Sequence, residues 1–136
     1  MTRLGDWYGN LFSVGRQQWA MFTSERSLLS VVMLAKEMQP LPESLANGLR
    51  GLLCALEVPE ALIDEETARM QACVITTTAS RSVLGSMNDF AFAAKLYLSE
   101  SQPLSLIEIQ LRLAEVPMKP LGYRFPREVA LDLLRP

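Results

Sequence analysis

The stretch WYGNLFSVGRQQWAMFT, residues 7–23, constrains the fold more than any other part of the chain. Two aromatic-rich runs, 7–14 and 18–23, flank Gly15. In the first, Trp7, Gly9, Leu11 and Ser13 alternate with Tyr8, Asn10, Phe12 and Val14. In the second, Trp19, Met21 and Thr23 alternate with Ala20 and Phe22. An extended backbone sends successive side chains to opposite faces. Alternation on both sides of a glycine turn therefore predicts a β-hairpin. Apolar residues fall in both sets, so the pattern also predicts cover on both faces. A lone hairpin is marginal in water, and the rest of the chain must supply that cover.

The rest reads mostly as helix. SERSLLSVVML, 24–34, fits either a third strand or the start of a helix. Pro40 and Pro42 break the pattern, and Leu45, Leu49, Leu52, Leu53 and Leu56 then recur at helical spacing over 43–56. Pro42 suits the first turn, and Gly48 and Gly51 weaken this helix while allowing close packing. Val58-Pro59 ends it, and Pro59 opens a second helix whose Asp64, Glu65 and Glu66 read as a solvated face. ACVITTT, 72–78, is the best strand in the second half. The helix after it places Val83, Met87, Phe90, Ala94 and Leu98 on one side, with Ser80 or Ser82 as N-cap. SLIE, 105–108, is a capping box, Val116-Pro117 a stop, and Pro126 the start of a C-terminal helix. The expected class is α+β: a small antiparallel sheet with an N-terminal hairpin, covered by four or five helices, in a single domain spanning 1–136.

Composition narrows the chemistry. The 136 residues suffice to bury a core without disulfides or metals. There is no histidine, which removes Ser-His and Cys-His dyads, His-ligated zinc and the commonest general base. Cys54 and Cys73 form neither a C-x-x-C pair nor a zinc set and read as buried core thiols. The sequence therefore implies no catalytic residues, no metal and no cofactor. A net charge of −2 gives no general attraction to nucleic acid or an anionic membrane. The aromatics of the hairpin offer stacking surface, but Arg3, Arg16 and Arg26 are few basic residues to accompany them; core packing explains them better, and nucleic acid is disfavoured. No apolar run reaches the roughly 18–20 residues of a membrane span, and the N-terminus shows no signal-peptide pattern. The expected location is the cytoplasm.

One region invites a site. In TTTASRS, 76–82, hydroxyls and Arg81 stand where a strand enters a helix. The first backbone N–H groups of a helix are unpaired and its dipole favours negative charge, so Thr78, Ser80, Arg81 and Ser82 are candidates for a small anionic ligand such as a phosphate. The glycine pattern of a P-loop is absent. The simpler alternative is that a serine caps the helix while Arg81 pairs with a surface carboxylate. Asn88 and Asp89 follow in the second turn, where both are indifferent helix formers. A polar network that fixes the fold accounts for them as well as a catalytic acid does.

These residues resemble an uncharacterised bacterial family of domains of unknown function. The resemblance rests on a Trp-x-x-Asn-Leu hairpin (Trp7, Asn10, Leu11) and on RSVLGSMND at a helix entry (Arg81 to Asp89), and covers residues 4–98. It leaves 99–136 as a helical extension. It implies α+β folding and an intracellular bacterial protein, and it groups Asn10, Arg16, Arg81, Asn88 and Asp89 as one polar cluster. Members often carry a further N-terminal segment, which implies an exposed sheet edge here. No activity comes with the resemblance. The expected function is a non-enzymatic binding or regulatory module acting through protein–protein interaction, as a homo-oligomer or with another protein; the alternative is a phosphate- or nucleotide-binding protein using 76–82.

Overall fold

The structure is a computed structural model of the whole chain, in which residues 2–70, 75–76, 81–100 and 104–135 are described. The hairpin forms as its alternation dictates. Strand β1 (Trp7–Val14) pairs antiparallel with β2 (Gln17–Ser24), with Trp7 opposite Ser24 and Val14 opposite Gln17. Gly15 has φ 59°, in the position where a II′ turn needs its glycine. The ambiguous segment resolves as strand β3 (Ser30–Leu34), antiparallel to β2. Its β-branched Val31 and Val32 are buried, one to each face.

Helices α1 (Glu43–Ala55) and α2 (Glu60–Ala68) follow, then a two-residue strand, β4 (Ile75–Thr76), parallel to β1 at Trp7 and Tyr8. Helices α3 (Arg81–Ser99), α4 (Leu106–Leu113) and α5 (Pro126–Leu134) complete the chain. The strand order is β3-β2-β1-β4: three antiparallel strands and a short parallel addition, with five α-helices. The class is α+β, as the sequence indicates.

Both sheet faces are covered. On one side, Trp7, Ala20, Phe22, Val31 and Met33 meet Leu45, Leu49, Leu52 and Leu53 of α1, with Ile63 of α2 and Ala130 and Leu134 of α5. All four α1 leucines are fully buried, each burial contributing roughly 1.5–3 kcal/mol. Gly48 lets α1 lie directly on β3, since a Cβ there would stand 2.7 Å from Val31 Cγ1. On the other side, Phe12, Met21 and Val32 meet Val83, Met87, Phe90 and Ala94 of α3 and Ile109 and Leu113 of α4. Helices α4 and α5, from the expected extension, thus belong to the same two cores.

The helix ends follow their caps. Ser105 Oγ accepts the Glu108 N–H at 3.2 Å and its hydroxyl donates to Glu108 Oε1 at 3.2 Å. Glu128 reaches back to the Phe125 N–H at 3.1 Å, with Pro126 beginning α5. At the end of α1, Glu57 is left-handed (φ 63°), and the Val58 N–H donates to the Leu53 carbonyl at 3.0 Å.

Several expectations need correction. Cys54 is exposed, because it stands one helical step beyond the inward Leu53; Cys73 lies outside the described residues. Glu66 is not on the solvated face but 1% exposed. Its carboxylate accepts the Arg3 N–H at 2.9 Å and the Leu4 N–H at 3.1 Å, tying the start of the chain to α2. Beside the β1 strand, β4 pairs only at Trp7 and Tyr8, and the β3 edge has one group covered by a side chain. Gln110 of α4, 3% exposed, presents Oε1 to the outward Val32 N–H at 2.7 Å and satisfies a ladder group that no strand pairs.

Candidate functional site

Helix α3 brings part of the anticipated site together. Arg81, Ser82 and Asp89 line one groove of about 470 Å³, facing Lys119, Pro120 and Tyr123 of the loop between α4 and α5. Residues 81, 82, 85, 86 and 89 share one flank of α3, as helical spacing requires. Gly85 sits midway along that flank, and a Cβ built there would have no heavy atom within 4 Å. Arg81 and Ser82 are exposed. Ser82 does not cap the helix: it lies within the first turn, and its carbonyl accepts a hydrogen bond from Ser86 Oγ at 3.1 Å. Thr78 and Ser80 lie outside the described residues, so their share of this site and the alternative Ser80 cap are not described.

The loop opposite is held firmly. Met118 is buried in the α3 core and forms an antiparallel bridge with Arg124. The Tyr123 N–H donates to the Met118 carbonyl at 2.9 Å, and the Leu121 N–H donates to the same oxygen, also at 2.9 Å. Gly122 and Tyr123 both have φ 65°, a region costly for a residue with a Cβ. The outcome is a tyrosine ring 66% exposed at the groove rim. Arg124 turns away to pair with Asp132 of α5; the hydrogen bond from Arg124, and then its charge, hold that carboxyl below its usual pKa. Sequence reasoning missed Lys119 and Tyr123. The signal was PMKPLGY, where a proline-flanked turn precedes an aromatic that nothing in the helical pattern absorbs.

The polar cluster does not assemble. Asn10 borders a second cavity, of about 400 Å³, lined by Gly9, Leu11, Phe22, Met38 and Leu41 on the α1 side of the sheet, while its own strand position, opposite Met21, belongs to the α3 side. Arg16 lines a third at the hairpin tip, beside Gln18 and Lys36. Asn88 is exposed on α3. Among the described residues no hydrogen bond or ion pair joins these side chains to one another. The physical reason is the pleat and the helix period. Asn10 and Arg16 sit at different heights of the hairpin, while Asn88 and Asp89 point about 100° apart around α3.

The outward side of α3 is a second notable surface. Its inward positions are occupied by core contacts, yet Phe92 is 67% exposed and Leu96 55%, with Leu84 at 38%. Among the described residues no group of three or more potential metal ligands occurs, and no helix is long and apolar enough to cross a membrane.

Taken together, these features define an α+β domain with a small sheet between helices, and with one helix that carries both an open polar groove and an exposed apolar side. The chain belongs to the family DUF6933, a domain of unknown function, whose model matches residues 1–129. That span is wider than the 4–98 carrying the resemblance and takes in α4 and the start of α5. No curated protein and no solved structure matches the chain.

Proposed function

We propose that this protein is a non-enzymatic binding module that acts through protein–protein contact, with the outward side of α3 as its contact surface. The observation that supports it is Phe92: a phenylalanine two-thirds exposed on a helix whose opposite side is fully used in the core. Solvent contact gains the fold nothing there, whereas aromatic residues are enriched where partners dock. The partner is a second copy or another protein, in a cytoplasmic, bacterial setting. Light scattering across a dilution series and photo-crosslinking from position 92 in cells test the reading. A concentration-dependent mass or a discrete crosslinked species is expected. A constant monomer mass with no crosslink from position 92 overturns it.

A second reading, a phosphate-bearing ligand at the start of α3, is favoured by two cations that line one groove without an ion pair, although among the described residues Arg16, Arg26, Lys36, Lys95 and Arg112 form none either. Arg3, Arg50, Arg69, Arg124, Arg127 and Arg135 each pair with a carboxylate. Among the described residues neither Arg81 nor Lys119 has one within 4 Å, although both face the same groove. Titration with inorganic phosphate tests it: protection against heat should grow with concentration and be lost in Arg81→Ala.

A further inference from the structure

We propose that the outer edge of β1, at residues 11–14, docks an extended, uncharged segment of another protein, which pairs with the strand and sets an apolar side chain in the cavity beside Leu11. This surface is separate from the outward side of α3. Its first support is the backbone. Val14 and Gln17 are the pair that a two-residue hairpin turn joins by hydrogen bonds. Alternate residues of an antiparallel strand bond the same neighbour, so Phe12 and Asn10 also turn their backbone groups to β2. Leu11 and Ser13 turn theirs the other way. On that side β4 pairs only with Trp7 and Tyr8, and among the described residues no strand pairs with β1 beyond them. Leu11 is 50% exposed, and Ser13 is exposed as well. Open donors and acceptors at strand spacing are what an added strand satisfies.

The second support is the side-chain chemistry. At the other edge of the sheet, the Val32 N–H is taken by Gln110. Edges are commonly guarded by charge, proline or such a covering side chain, yet the run 9–14 holds no charged residue and no proline. Beside Leu11 lies the cavity of about 400 Å³, walled by Ala20, Phe22, Met38, Leu41 and Ile75. Leu11 faces the same side, because it stands opposite Ala20. A residue docked opposite Leu11 points its side chain to that side too. The backbone therefore selects an extended segment, and the cavity selects an apolar residue within it.

A single segment fits this edge better than a second copy does. In a two-fold antiparallel pairing centred on Leu11, the hairpin turn of the second copy would fall beside Trp7, where Ile75 already pairs. A lone extended segment brings no turn and no β4 of its own to so short a run.

The test uses synthetic peptides in which threonine alternates with leucine or with phenylalanine, titrated against the full chain by fluorescence anisotropy. At least one should bind saturably, and amide exchange at Leu11 and Ser13 should slow in the complex. The same peptide methylated on the backbone nitrogen of each apolar residue should not bind, nor should one with glutamate at its central apolar position. Leu11→Pro removes an N–H that β2 does not use, a place where strands tolerate proline, and should weaken binding about tenfold or more. Leu11→Lys, at a half-exposed position, should do the same without lowering the melting temperature, and it decides the matter if the proline variant unfolds. Phe92→Ser should leave peptide binding unchanged. Silence from every peptide at millimolar concentration overturns the proposal, as does binding that survives backbone methylation or both Leu11 variants. Binding lost in Phe92→Ser assigns the peptide to α3 and overturns this edge while leaving the α3 reading standing. A concentration-dependent mass that Leu11→Lys abolishes gives the edge to a second copy and overturns the partner assigned here.

Discussion

The two sides of the sheet are finished differently. Against α1, the inward leucines are fully buried, Gly48 admits β3 at contact distance, and Arg50 is tied to Asp64 of α2 at 2.8 Å. Against α3, the inward residues are packed as well, but the outward and flanking ones are left open: Phe92, Leu96, Arg81 and Asp89. The same helical period that packs α1 onto the sheet serves α3, so packing rules do not explain the contrast. The α1 side keeps an opening of its own, where Leu11 is 50% exposed beside a cavity of about 400 Å³. The groove and the exposed aromatic lie on one helix, α3, whose flank faces the loop after α4.

Two phenylalanines two residues apart on α3 break the comparison most sharply. Phe90 is 2% exposed and Phe92 67%. Phe90→Ala should cost about 3–5 kcal/mol of stability, measured by urea unfolding with the midpoint falling at unchanged slope. A cost below about 1 kcal/mol would mean that the α3 core is loose and that the helix is only lightly attached. Next in size is Glu66→Gln. The carboxylate now accepts two backbone N–H groups, and an amide offers one acceptor and one clashing donor. Hydrogen bonds to charged groups of this kind stabilise by about 1.5–3 kcal/mol, and a loss near 2 kcal/mol is expected, with amide exchange rising at Arg3 and Leu4. Gln110→Ala should cost about 1–3 kcal/mol by leaving the Val32 N–H unpaired. It should also promote self-association through the opened β3 edge, visible as turbidity that Gln110→Glu, which keeps an acceptor, does not show.

How much of this was legible in the sequence differs element by element. The hairpin followed from alternation around Gly15, and α4 from SLIE, because those signals are local; the strand register, with β2 starting at Gln17, came from the structure. The side choice within α1 was legible from its leucines, but Cys54 was misread because a cysteine beside a leucine stripe carries no directional mark. Glu66 was misread for a related reason. In a run of three carboxylates, nothing local tells which one meets backbone N–H groups 62 and 63 residues away. Gln110 has the same character: its partner is 78 residues distant. At the groove, Arg81, Ser82 and Asp89 were legible because they share a helix flank. Lys119 and Tyr123 were not, since their approach depends on how the loop after α4 folds back on α3. The grouping of Asn10 and Arg16 with Asp89 treated residues close in motif as close in space, and the sheet and helix periods separate them.

The smallest expected stability effect is the most informative. Phe92→Ser removes an aromatic that is two-thirds in water, and substitutions at such sites usually fall within about 0.5 kcal/mol of neutral. The unfolding midpoint should therefore barely move, in contrast to Phe90→Ala on the same helix. If α3 is the contact surface, the same substitution should abolish the concentration-dependent mass and the crosslink from neighbouring Leu96. The two readouts separate the possibilities cleanly. A large loss of stability would show that Phe92 packs within the fold, and the contrast between the two sides of the sheet would shrink to one of degree. A neutral variant that associates as the parent does would leave the contrast standing but place recognition elsewhere, with the Tyr123 groove as the remaining open surface of α3. A neutral variant that no longer associates would mark the outward side of this helix as the surface that the α1 half of the molecule exists to hold in place.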